Sequence, residues 1–73
     1  MCLAVPLKLI SVDGASGVGE FDGVRRRVQL TFVPQAKVGD FVIVHAGFAI
    51  EIMDEAQAEL DREAFREVAR AAE

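Results

Sequence analysis

Residues 24–32 show the clearest alternation of apolar and polar positions in the chain. The apolar side of this segment, VRRRVQLTF, consists of Val24, Val28, Leu30 and Phe32. Only Arg26 interrupts that side. A period of two with β-branched and aromatic residues is typical of a half-buried β-strand. The pattern therefore predicts a strand over residues 24–32 with one face toward a core.

The residues before this segment predict a β-hairpin. Asp22 and Gly23 separate the segment from a shorter apolar stretch at about residues 17–21. Asp-Gly readily supplies the two positive φ angles of a type I′ turn, which joins antiparallel strands through a two-residue loop. We therefore expect the short strand to pair with the strand over 24–32.

Two further apolar segments flank this hairpin. Upstream, LAVPLKLISV predicts a first strand, in which Pro6 marks an edge or a strand start because proline has no N–H to donate. The stretch DGASG at residues 13–17 then turns the chain. Downstream, FVIVHAGFAIEIM at residues 41–53 is almost continuously apolar, which favours a strand buried on both sides. The sequence thus contains at least four predicted strands separated by short turns.

The residues after position 53 change to a helical period. Asp54 is placed to cap a helix that has Gln57 at its N3 position and Glu55 in its first turn. The apolar residues expected to anchor this helix on the strands are Leu60, Phe65 and Val68. The acid–arginine pairs expected on its solvent side are Glu59/Arg62, Glu63/Arg66 and Glu67/Arg70.

Strands followed by one terminal helix predict a mainly β fold, a small β-barrel with a C-terminal α-helix. The 73 residues are enough for a single domain. We expect its barrel over about residues 3–52 and its helix over about residues 54–72.

Composition narrows the class of protein. Hydrophobic residues make up 52% of the chain and charged residues 27%, which favours a globular rather than a disordered protein. The single cysteine excludes an intrachain disulfide. The first residues lack the basic start and apolar run of a signal peptide, and no segment approaches the roughly 20 apolar residues of a membrane span. We expect a soluble cytoplasmic protein without a membrane partner.

The net charge of −4 is concentrated in the C-terminal segment, where residues 51–73 carry eight acids and three arginines. Three consecutive arginines at 25–27 raise the alternative of nucleic-acid binding. Small barrels that bind single strands combine a basic groove with stacking aromatic residues. Here the aromatic residues fall mostly on apolar faces and the molecule is acidic, so we expect no nucleic-acid partner.

Cys2 and His45 are the only cysteine and the only histidine. Removal of Met1 by methionine aminopeptidase is expected because cysteine is small, and the adjacent α-ammonium group would lower the pKa of the thiol and favour the thiolate that binds metals. Histidine is a common metal ligand. His45 is therefore either a ligand beside Cys2 or a structural residue held by a hydrogen bond.

Four stretches together resemble the HypC/HupF family of nickel–iron hydrogenase assembly chaperones. They are MCLAVP at the start, GEFDGVRRRVQL in the middle, GDFVIVHAGFAI at residues 39–50, and MDEAQA after it. The resemblance covers essentially the whole chain. Many members have glycine after the proline, where this chain has Leu7.

The resemblance implies an OB-like barrel with a C-terminal helix and a function without catalysis. Such proteins bind the scaffold protein HypD and the precursor of the hydrogenase large subunit, and they carry iron with cyanide and carbon monoxide ligands between them. The essential cysteine of the family corresponds to Cys2, for both metal and partner binding, and its motif histidine corresponds to His45. The rival hypotheses are an OB-type nucleic-acid-binding module and an enzyme that uses Cys2 as an N-terminal nucleophile.

Overall fold

The computed structural model describes residues 5–71, with side chains described through residue 69. Its elements in chain order are β1 (Pro6–Asp13), β2 (Ser16–Phe21), β3 (Val24–Gln29), β4 (Phe41–His45), β5 (Phe48–Met53) and α1 (Glu55–Ala71). The strands form a closed barrel in the order β1-β2-β3-β5-β4, and α1 follows the last strand. The predicted fold class, a small barrel with one C-terminal helix, is confirmed.

The hairpin predicted from Asp22 and Gly23 is present. These residues have φ angles of 54° and 85°, as a type I′ turn requires, and they join β2 to β3. Phe21 pairs with Val24 directly beside the turn, and the ladder continues to Ser16 opposite Gln29. The Asp-Gly pair therefore sets the register of the whole hairpin.

The predicted strand over residues 24–32 ends earlier than its alternation indicates. β3 stops at Gln29, and the chain then makes two successive turns in which the N–H of Val33 donates to Leu30 and the N–H of Ala36 donates to Val33. Leu30 is buried as expected, whereas Phe32 is 64% exposed. The turns rotate Phe32 away from the core side that Leu30 occupies.

The prediction of one strand over residues 41–53 is wrong, because Ala46 and Gly47 divide this segment into β4 and β5. Both residues have positive φ angles, 54° and 85°, and the two strands pair antiparallel from Phe41 opposite Met53. A straight strand of this length would extend about 43 Å at 3.3 Å per residue. The longest dimension of the molecule is 37 Å. Folding the segment back on itself lets both halves pair within one barrel.

The core of the barrel is apolar and closely packed around Leu9, Val28, Leu30 and Val42, all 2% exposed or less. Leu7 joins this core at the start of β1. A Cβ atom added at Gly19 would lie 2.8 Å from the Cβ atom of Leu7, so only glycine leaves space for that side chain. The bulkier residue after the proline is thus accommodated by the glycine on β2.

The helix begins as the sequence predicts. The N–H of Gln57 donates to a carboxylate oxygen of Asp54 at 3.3 Å, which satisfies one of the free N–H groups of the first turn. The side chain of Gln57 does not complete a capping box, since it donates to Asp61 at 2.9 Å instead. Asp54 alone therefore caps α1.

The face that the helix turns to the barrel differs from the predicted one. Leu60 is 67% exposed and Val68 is 60% exposed, so two of the three proposed anchors are wrong, and only Phe65 is half-buried. Among the residues of α1 with described side chains, the buried ones are Ala58 and Arg62, four positions apart and therefore on one side of the helix. Leu60 lies about 200° around the helix from Ala58, which places it toward solvent.

Arg62, predicted on the solvent side, is the residue that fastens α1 to the barrel. Its Nη1 donates to the carbonyl oxygens of Pro6 at 3.0 Å and Glu20 at 2.9 Å, and its Nη2 donates to the Glu20 carboxylate at 3.2 Å. The guanidinium carbon lies 5.1 Å from the ring centre of Phe21 and 5.4 Å from that of Phe41. Arg62 thus ties the start of β1 to the end of β2.

Candidate functional site

An open groove of about 530 Å³ lies beside the start of β1, the start of β3 and the β4–β5 turn. Its apolar wall consists of Val5, Leu7, Phe21, Val24, Val28 and Val44. Gly47 lies at one end, and Arg26 and Arg27 supply its charged groups. The combination of an apolar wall with a few polar groups is typical of a binding site.

The groove exists because β3 and β5 are joined at a single position. Gln29 pairs in parallel with Phe48, and the N–H of Gln29 donates to the carbonyl oxygen of Gly47 at 2.8 Å. The last residue of β3 therefore pairs with the first residue of β5, and no other residues of these two strands lie side by side. On the edge away from β2, residues 24–28 of β3 consequently face an opening instead of a second neighbouring strand.

Arg26 is explained by this opening. Strand alternation places it on the same side as Val28, which is 1% exposed, yet Arg26 itself is exposed. The residue opposite it on β2 is Gly19, which has no side chain to cover it. The residue that interrupts the apolar pattern of the sequence thus lies where the inner side of β3 leaves the core and enters the groove.

The three consecutive arginines carry positive charge that the described part of the chain does not neutralise through an ion pair. Arg25 is opposite Glu20 on β2, but the Glu20 carboxylate receives hydrogen bonds from Arg62 and from the N–H of Gly23. The nearby carboxylate of Asp22 lies 3.6 Å from Arg66. The neighbouring acids are thus held by other groups.

The carboxyl group of Glu20 has a pKa below its ordinary value. The hydrogen bond from the backbone N–H of Gly23, at 2.9 Å, contributes most to holding the pKa of this carboxyl below its ordinary value. The hydrogen bond and positive charge of Arg62 act in the same direction, with a smaller contribution from the charge of Lys8, while partial burial opposes them. Glu20 is therefore ionised at neutral pH, as its pairing with Arg62 requires.

His45 is the last residue of β4 and is exposed beside the β4–β5 turn. It pairs with Phe48, and its neighbour Val44 lines the groove, as does Gly47 in the turn. The turn at Ala46 and Gly47 ends β4 directly after His45, so His45 and Gly47 do not belong to one strand. His45 therefore lies at the surface beside the groove.

Cys2 lies outside the described residues, so its pairing with His45 stays a prediction. Between residues 5 and 71, no group of three or more histidine, cysteine, aspartate or glutamate side chains is arranged to hold a metal ion. The single described helix, α1, lacks the apolar length that a membrane crossing requires.

The sequence pattern did not predict a functional role for Arg62 or Arg26. Arg26 stood out only as an interruption of the apolar side of its strand. The signal for Arg26 was present in the sequence, since a charged residue on the inner side of an otherwise regular strand indicates a break in the core. The signal for Arg62 was absent, because its partners lie 42 and 56 residues away in the chain.

Comparison with known proteins assigns the chain to a family. The model of the HupF/HypC family matches residues 1–65. The chain is 45% identical over 65 residues to the hydrogenase maturation factor HypC of Synechocystis sp., covering 81% of this chain and 86% of the relative.

Two further relatives agree with this assignment. The hydrogenase maturation factor HypC of Cupriavidus necator is 41% identical over 71 residues, covering 96% of this chain and 79% of the relative. The hydrogenase expression/formation protein HupF of Bradyrhizobium diazoefficiens is 37% identical over 60 residues, covering 82% and 61%. The chain, with its five-stranded barrel and C-terminal helix, belongs to the HupF/HypC family.

Proposed function

We propose that this protein is a hydrogenase maturation chaperone without catalytic activity of its own. In this proposal it binds HypD and the precursor of the large subunit in the cytoplasm, and it carries iron with cyanide and carbon monoxide ligands between them. The observation that supports this most is the family match over residues 1–65, which includes both Cys2 and His45.

The chemistry of the cargo supports a role for Cys2. Cyanide and carbon monoxide make iron low-spin and soft, and thiolates are suitable donors to soft metals. A carrier must also release its metal, which favours one or two protein ligands over a closed set of four. A cysteine close to a chain end, together with one exposed histidine, meets that requirement.

The path of the chain supports an encounter between the two residues. β1 begins at Pro6, which pairs with Ile43 on β4, two residues before His45. Cys2 precedes Val5 by three residues, so covalent geometry limits the separation of their Cα atoms to about 11 Å. The start of β1 therefore lies at the end of β4 that carries His45, next to the groove.

The decisive experiment is co-expression of the protein with HypD and the large-subunit precursor, followed by affinity purification and infrared spectroscopy. The native protein is expected to retain both partners and to show the stretching bands of cyanide and carbon monoxide. Cys2→Ala is expected to lose the bands and the stable complex with the precursor while its circular-dichroism spectrum stays unchanged. Unimpaired complex formation by this variant would contradict the proposed role of Cys2.

A matched variant distinguishes the effect of losing the thiolate from the effect of losing the side chain. Cys2→Ser keeps the size of the residue but replaces a soft donor by a hard one, so it is expected to lose the iron bands as Cys2→Ala does. Intact-mass measurement of the native protein checks the free terminus, since removal of Met1 is expected. A fully retained methionine would contradict the proposed activation of the Cys2 thiol by an adjacent α-ammonium group.

A further inference from the structure

The side of β3 that faces the groove is an unpaired strand edge. In a hairpin closed by a two-residue turn, alternate residues direct their backbone N–H and C=O groups away from the partner strand. Gln29 shows that direction, since its N–H donates to Gly47 and not to β2. Arg25 and Arg27 precede it at intervals of two. No strand in the described chain pairs with β3 on that side before Gln29.

The side chains around this edge define what it would accept. The wall of the groove is apolar, and Val24 is 54% exposed at its rim. Arg26 and Arg27 line the groove. Such a surface suits an extended chain that has apolar side chains on the groove side and carboxylates within reach of the two guanidinium groups.

We propose that the groove binds an extended acidic segment of a partner protein, which adds a strand to the edge of β3. Backbone hydrogen bonds to Arg25 and Arg27 hold the segment, an apolar side chain packs on the wall, and a carboxylate pairs with Arg26. Charge complementarity favours an acidic segment, because Arg26 and Arg27 line the groove, have no ion partner among the described residues and lie on an otherwise acidic molecule. The identity of the protein that supplies the segment rests on the proposed function. The binding of an extended acidic segment does not.

The test is selection from a random decapeptide library displayed on phage, with the whole protein as bait. The expected peptides alternate apolar residues with aspartate or glutamate and lack proline at their centre, since proline cannot donate to a strand ladder. Peptides without acidic residues, or the absence of any enrichment, would overturn the proposal. The library contains no hydrogenase protein, so the outcome is independent of the co-expression experiment.

A pair of variants locates the binding. One selected peptide is synthesised, and its dissociation constant is measured by calorimetry. Arg26→Ala is expected to weaken binding at least tenfold, because its side chain lines the groove. Arg25→Ala removes the same charge from the opposite side of the same strand and is expected to weaken binding less than threefold. Equal effects of the two variants would show unspecific charge attraction and overturn the site.

Three further measurements test strand addition and the two other possible occupants. Hydrogen exchange with bound peptide is expected to slow at the N–H groups of Arg25 and Arg27, and unchanged exchange there would overturn strand addition. Binding of a twelve-nucleotide oligothymidine that depends on Arg26 would assign the groove to nucleic acid instead. A dimer of the free protein that dissociates in Arg26→Ala would assign it to a second copy. Either result would overturn the peptide assignment.

Discussion

His45 combines an exposed imidazole with a fixed backbone position at the end of a paired strand. Exposed side chains contribute little packing energy and exposed polar contacts only modest energy, so His45→Ala is expected to lower the free energy of unfolding by no more than about 1 kcal/mol. The same variant is expected to weaken iron loading in the presence of HypD if the imidazole is a ligand. Thermal melting and the infrared bands measure the two effects separately.

Asp13→Ala is the matched control for this variant, since Asp13 is also exposed but lies at the far end of β1 from Pro6. It is expected to leave both the melting temperature and the iron bands unchanged. Unfolding of the His45→Ala variant would show that His45 is required for the stability of the barrel. Normal loading by a folded His45→Ala variant would exclude it as a ligand.

Arg62 and Leu60 reverse the usual assignment of polar and apolar residues on an amphipathic helix. Arg62 is 5% exposed, and its removal would leave the carbonyl oxygens of Pro6 and Glu20 without their donor. Arg62→Ala is therefore expected to lower the free energy of unfolding by about 1.5–3 kcal/mol, the range for hydrogen bonds to charged groups. Urea denaturation at pH 7 measures the loss.

Leu60→Ala is the control on the same helix. Because Leu60 is 67% exposed, this change is expected to stay within about 0.5 kcal/mol of the native protein. A loss of about 2 kcal/mol at Leu60, with little effect at Arg62, would show that α1 packs through the face that the apolar pattern predicted.

At the scale of elements, the turns show which parts of the fold can be predicted from the sequence. Asp22-Gly23 carries the residues that a type I′ turn favours, and the hairpin around it was predictable in position and register. Ala46-Gly47 adopts similar positive φ angles without that signature, so the two strands around it merged into one apolar run. The left-handed region is sterically unfavourable for alanine. Ala46 adopts it because the paired strands on either side require a turn at this position.

This cost at Ala46 is testable, because asparagine enters the left-handed region more readily than alanine. Ala46→Asn is expected to raise the free energy of unfolding by about 0.5–1 kcal/mol. Ala15→Asn, in the turn between β1 and β2 where the φ angle is not positive, is expected to bring no such gain. Equal effects of the two substitutions in urea denaturation would contradict the strain at Ala46.

The orientation of α1 and the groove were not predictable, for a common reason. A helix with Leu60 and Val68 at regular spacing has an apparent apolar face. The surface of the barrel under α1, however, presents carbonyl oxygens of β1 and β2 and two aromatic rings, which bind the guanidinium group of Arg62. The groove depends on where β3 meets β5, a contact between residues 19 positions apart that no local pattern specifies. Local signals predicted the start of the helix and the hairpin; long-range pairing determined the site.

At the scale of the molecule, the ionisation of Glu20 couples stability to pH. The pKa of Glu20 is lowered in the folded protein, chiefly by the N–H of Gly23. Its stabilising contribution is therefore complete above the pKa of the unfolded chain and is lost as the pH falls through the lower pKa of the folded state. We expect the urea midpoint to fall on acidification below the ordinary range of glutamate.

Glu20→Gln isolates this contribution, because glutamine cannot ionise. The variant is expected to be less stable than the native protein near pH 7 and to lose less stability on acidification, so the difference between the two proteins shrinks toward low pH. Urea denaturation between pH 7 and pH 3 measures both curves. Parallel curves would contradict the coupling.

The single pairing of Gln29 with Phe48 has a consequence for the motions of the barrel. Each of the other neighbouring strand pairs is held by three or more paired positions, so the junction between β3 and β5 is the place where the barrel separates at the lowest free-energy cost. Separation there would leave two intact pieces, the three-stranded meander and the β4–β5 hairpin, joined through β1 and β4. The protein would then fluctuate between a ring and an open, curved sheet, and an arriving strand would meet a free edge longer than the one the closed ring displays.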